Sequence, residues 1–98
     1  MKNLSIEYEG MNCSIAMEEH SNPNCSGVKV YIYQPDGSLL NSITYLCHPE
    51  FSSYDECNEK TVEELMKDGM ARLAQDMETE DFKLATEHGL GLMLPINS

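Results

Sequence analysis

The hydrophobic period of this chain changes once. Up to Cys47 apolar residues recur at about every second position; from Val62 they recur every third or fourth. Side chains alternate between faces along a strand and return to one face after about 3.6 residues in a helix. A chain with both periods in that order places a sheet-forming half before a helical half. That restricts it to an α+β arrangement, and at 98 residues to a single domain, 1–98.

The strands follow from the pattern. Leu4, Ile6 and Tyr8 alternate with Ser5, Glu7 and Glu9, and Met11, Cys13, Ile15 and Met17 with Asn12, Ser14, Ala16 and Glu18. This predicts strands over 3–9 and 11–18, joined by a tight hairpin at Glu9-Gly10. "EHSNPNCSG" reads as a loop. "VKVYIYQ" is rich in β-branched and aromatic residues and predicts a strand over 27–34. It puts Val28, Val30 and Ile32 on one face and Lys29, Tyr31 and Tyr33 on the other. Pro35, Asp36 and Gly37 suit a type I turn. "SLLNSITYLC" returns as a strand over 38–47, with an imperfect alternation that leaves its register open.

After a polar connection, Thr61 and Glu64 have the spacing of a capping box. They open a helix over 61–78 whose Val62, Leu65, Met66, Met70, Leu73 and Met77 form one apolar stripe. Thr79 caps a shorter helix over 80–88, which Gly89 ends. "LGLMLPI" is either a last edge strand or a tail packed on the sheet. The expected architecture is an antiparallel meander of about four strands packed by the amphipathic helix.

Charge narrows function. Seventeen acids against six Lys and Arg give a net charge of −11. Direct nucleic-acid binding runs on cations that neutralise phosphates and is disfavoured; an anionic membrane repels the chain for the same reason. A basic protein surface attracts it. The acid is concentrated in the second half, at −8 over 50–98 against −3 over 1–49. Part of it stabilises helices: Glu63 precedes Lys67 by four residues, Asp68 precedes Arg72 by four, and Arg72 precedes Asp76 by four. Asp76 and Glu78 lie near a helix C-terminus, where acid opposes the dipole, and so read as solubility or recognition. The candidate partner surface is Glu56, Glu59, Glu63, Glu64, Asp68, Asp76, Glu78, Glu80 and Asp81, with Tyr31 and Tyr33 as aromatic anchors.

Catalytic and metal patterns are weak. Cys47 and His48 are adjacent, but neighbours on a strand face opposite ways and make no dyad. G-x-S-x-G and H-E-x-x-H are absent, so no enzymatic activity and no cofactor are expected. Cys25, Cys47, His48 and Cys57 are the weak metal candidates, without a C-x-x-C knuckle. With no apolar leader, the four cysteines are expected to be reduced thiols in a cytoplasmic chain. A Cys47–Cys57 or Cys13–Cys47 disulfide is the alternative in an oxidising compartment.

The strands "KVYIYQPDGSLL" and the helix "TVEELMKDGMARLAQDMETED" together resemble, in layout, small acidic phage-encoded anti-CRISPR and anti-defence inhibitors. The resemblance implies a non-enzymatic protein in the host cytoplasm that binds a Cas protein or surveillance complex. Two other classes compete with it: a small thiol- or zinc-binding protein, and an oligomeric antitoxin-like or structural module pairing through a sheet edge or the Met-rich stripe.

Overall fold

The computed structural model describes residues 4–21, 26–51 and 54–96. The protein is a small α+β molecule, with one five-stranded sheet and three helices among the described residues. In chain order these are β1 (Leu4–Tyr8), β2 (Met11–Ser21), β3 (Ser26–Tyr33), β4 (Leu39–Cys47), α1 (Tyr54–Cys57), α2 (Val62–Met77), α3 (Glu80–Glu87) and β5 (Leu92–Pro95). The strands lie side by side in sequence order. β1 to β4 are antiparallel, whereas β5 joins β4 in parallel.

Turn chemistry sets the hairpins. Glu9 and Gly10 both adopt positive φ, 49° and 82°, the backbone of a two-residue hairpin whose twist matches its strands. At the β3–β4 turn Gly37 N–H donates to the Gln34 carbonyl, and the Ser38 amide and hydroxyl both donate to Asp36. Those bonds hold the Asp36 carboxyl below its ordinary pKa. The imperfect alternation of the fourth strand has a physical origin. A register shift occurs between Ile32, opposite Asn41, and Tyr33, opposite Leu39. One strand carries an extra residue there.

Two boundaries differ from expectation. β2 continues to Ser21 rather than ending at residue 18, because β3 pairs with it as far as Ser21–Ser26; ladder bonds outweigh the loop-like composition of Glu18–Ser21. The short α1 interrupts the polar connection before α2. The tail does form a strand, and its parallel direction follows from α2 and α3, which carry the chain back before it re-enters the sheet.

One face of the sheet is covered. Cys13 and Ile15, Val28, Val30 and Ile32, and Ile43 and Tyr45 are buried there under Leu65, Leu73 and Met77 of α2 and Phe82 of α3. Phe82 meets Tyr8 edge to face at 5.5 Å between ring centroids. Gly69, inside α2, marks a close approach: a Cβ there would sit 3.3 Å from the Tyr45 ring. Thr61 and Glu64 form the capping box, and Thr79 accepts from the Phe82 amide. Among the described residues no helix covers the opposite face, which carries Glu18, Lys29, Tyr31, Tyr33, Ser42, Thr44 and Met93.

Candidate partner-binding surface

The acidic residues divide by what their carboxylates already do. Glu64 closes the capping box on the Thr61 amide at 3.1 Å. Asp68 pairs with Lys60 at 2.6 Å, not with Arg72 as its spacing suggested. Lys60 sits just before the helix cap and reaches across its first turns, and the bond to Asp68 raises the Lys60 pKa. Asp76 is the clearest correction. Its side chain is only 14% exposed, it accepts from the Tyr45 hydroxyl at 2.6 Å, and it lies 3.6 Å from Arg72 Nε. Its place near the end of α2 gives it a structural part, as a tether between sheet and helix.

Arg72 completes that tether. It lies over the Tyr45 ring, 5.1 Å from the centroid, and its guanidinium donates to the carbonyls of Pro95 and Ile96. Burial, reinforced by the bond to Asp76, drives the Tyr45 pKa far above its ordinary value. One arginine therefore joins α2, β4 and the end of β5.

The remaining candidate acids, Glu56, Glu59, Glu63, Glu78, Glu80 and Asp81, are exposed. They fall in two groups, at the start of α2 and at the α2–α3 junction. From Glu63 to Glu78 the helix axis spans about 22 Å at the usual rise of ~1.5 Å per residue. Tyr31 and Tyr33 do not join them. They stack on the uncovered face of the sheet at 6.5 Å, opposite the face that α2 covers, so they share no surface with the helix acids. The Tyr31 hydroxyl donates to Glu18 at 2.6 Å, which raises its pKa.

The cysteines depart from the reduced state expected of them and take one of the two alternative pairings, Cys47–Cys57 rather than Cys13–Cys47. Cys47 and Cys57 form a disulfide with a Cα–Cα distance of 5.9 Å, tying the end of β4 to α1. Both sulfurs are consumed and neither is a thiolate ligand. Cys13 is a free, buried thiol whose pKa burial raises, and Cys25 lies outside the described residues. His48 Nδ1 accepts from the Glu50 amide at 3.1 Å, and its ring meets Phe51. Among the described residues no group of three or more His, Cys, Asp or Glu is placed to hold a metal ion. No helix there is long and apolar enough to cross a membrane.

The concave features of the described residues went unread in the sequence. Leu4, Met17, Met66 and Met70 border an apolar groove of about 560 Å³ beside α2, because Met66 and Met70 sit at the margin of the helix stripe and are only half covered. A more polar pocket of about 340 Å³ opens on the uncovered face, lined from β2 by His20, from β3 by Lys29, from β4 by Ser42 and Thr44, and at the edge by Gly91 and Met93. Its signal was the run of polar residues at alternate positions of β4, Ser42 and Thr44, opposite Lys29. Compared with known proteins, the chain matches no family model, no curated protein and no solved structure.

Proposed function

We propose that this protein is a non-enzymatic acidic inhibitor of the anti-defence type, which binds the basic surface of a nucleic-acid-binding protein and occludes its nucleic-acid site. One observation carries the reading. After internal pairing has used Glu64, Asp68 and Asp76, the exposed Glu56, Glu59, Glu63, Glu78, Glu80 and Asp81 remain along α2 and its flanks. Carboxylates fixed on a rigid helix resemble spaced phosphates, and lysines or arginines that hold a nucleic acid would accept them. A net charge of −11 speeds encounter with such a partner and makes the complex salt-sensitive. A Cas protein or surveillance complex is the partner that the layout suggests.

The test is capture from host lysate at low and high salt, with the variant Glu63→Lys/Glu78→Lys/Glu80→Lys/Asp81→Lys alongside. Capture of one nucleic-acid-binding complex that weakens with salt, disappears in the variant and is competed by nucleic acid supports the reading. Capture that is indifferent to the variant overturns it.

A further inference from the structure

We infer that the uncovered face of the sheet carries a binding pocket for a compact oxyanion, a phosphate or carboxylate group, with Lys29, Ser42 and Thr44 as its donors and His20 and Gly91 beside them. The inference is independent of the acidic surface, which lies on the helical side.

Four observations converge on it. The pocket, about 340 Å³, is at the lower end of the roughly 300–1,000 Å³ typical of small-ligand sites. Thr44 lines it and is only 6% exposed, yet among the described residues its hydroxyl makes no hydrogen bond. A buried hydroxyl without a partner is an unfavourable arrangement that a ligand would relieve. Lys29 is the third feature. Glu18 stands opposite it in register, but the Glu18 carboxylate accepts from the Tyr31 hydroxyl. The Lys29 ammonium rests instead 5.0 Å from the Tyr31 ring centroid and has no carboxylate within ion-pair distance among the described residues. Finally, Gly91 keeps the pocket open, since a Cβ there would stand 2.9 Å from the Ser42 hydroxyl oxygen.

The ligand class follows from the lining. An ammonium and two hydroxyls offer donors from β3 and β4 toward one volume, and acceptor-rich oxyanions satisfy donors. Their charge selects an anion over a neutral polyol. Exposed Met93 at the rim gives an organic group bearing the anion an apolar edge to rest on. The negative field of the whole chain opposes approach, so binding is best measured near 0.15 M salt, where the Debye length is about 8 Å.

The experiment is an amide chemical-shift titration of the full chain. It uses inorganic phosphate, then a simple phosphate monoester, then acetate, with chloride as control. Expected are saturating shifts centred on Lys29, Ser42, Thr44 and Gly91. Lys29→Met, Thr44→Val and Gly91→Ala should each weaken binding at least tenfold while leaving remote resonances in place. Tighter binding of the monoester identifies an anion carried on an organic group; equal binding identifies the free ion. Shifts that stay linear, that scatter over Lys60, Lys67 and Lys83, or that survive Lys29→Met and Thr44→Val overturn the assignment.

Discussion

The Tyr45 hydroxyl donates a 2.6 Å hydrogen bond to the Asp76 carboxylate, joining the centre of the sheet to the last turn of α2. Burial of Tyr45, reinforced by this bond, raises its pKa and keeps the phenol protonated. The link is visible from neither residue alone, since a tyrosine in a strand and an aspartate near a helix end are both ordinary.

Removal of that bond should cost stability. Tyr45→Phe keeps the ring and leaves Asp76 buried with Arg72 alone, so a loss of about 1.5–3 kcal/mol is expected, the range for hydrogen bonds to charged groups. Urea unfolding of the two proteins measures it. A change below ~0.5 kcal/mol would mean that water replaces the phenol.

The same pair predicts an alkaline limit. The Tyr45 pKa is raised in the folded state above its ordinary 10.0, so between those two values the folded protein binds more protons than the unfolded chain. Stability must then fall as pH rises above about 10. Lys60, whose pKa is also raised, contributes in the same direction. Cys13, Tyr8 and Tyr31, all with raised pKa values, add to the decline, so Tyr45→Phe should flatten part of it, as read by thermal unfolding between about pH 8 and 11.

Reduction should destabilise the β4–α1 corner. The Cys47–Cys57 bond closes a loop with a sequence separation of 10, for which chain entropy gives roughly 3 kcal/mol. Dithiothreitol, or Cys47→Ala with Cys57→Ala, should lower the melting temperature by roughly 10–20 °C in a domain of this size. An unchanged melting curve would show that α1 and the corner carry no share of global stability.

Glu9 offers a stabilising change. It is the only described residue other than glycine with positive φ, and asparagine tolerates that region better. Glu9→Asn should gain about 0.5 kcal/mol, measured by urea unfolding, because L-residues pay ~1–2 kcal/mol in left-handed backbone and asparagine recovers part of it.

Gly69→Ala tests the closeness of α2 to the sheet. Helix propensity alone favours alanine by about 1 kcal/mol. The Tyr45 ring, 3.3 Å from the new Cβ, is held by Asp76 and Arg72 and cannot yield freely. The gain should vanish or reverse in the native protein, and it should reappear when Tyr45 is also replaced by Leu. Equal effects in both backgrounds would separate Gly69 from Tyr45.

The sequence revealed periodicity and local turn chemistry well. Thr61, Glu64 and Thr79 announced their caps because capping depends on three or four neighbouring residues. Val28, Val30 and Ile32 declared their buried face because a strand covered on one side alternates. What stayed hidden depends on distant partners. Asp76 looked like surface acid because its helix position was known and the phenol waiting above it was not. Tyr31 and Tyr33 were grouped with the helix acids because a pattern assigns residues to faces without saying which face the helix covers. The extension of β2 came from pairing with β3, whereas the Cys47–Cys57 disulfide was legible only as one of two alternatives to reduced thiols, because spacing alone does not fix a pairing.

The parallel fifth strand also sets an order of assembly. The antiparallel pairs β1–β2, β2–β3 and β3–β4 join strands adjacent in sequence, but Ile43 and Leu92 meet across about fifty residues. Contacts of such separation form late, after the local ones have reduced the entropy of closure. Besides its ladder with β4, β5 is held by Arg72 of α2, which donates to the Pro95 and Ile96 carbonyls. The guanidinium thus acts as a final catch, and the first reversible opening of the native molecule should be release of its last strand, well before the sheet itself comes apart.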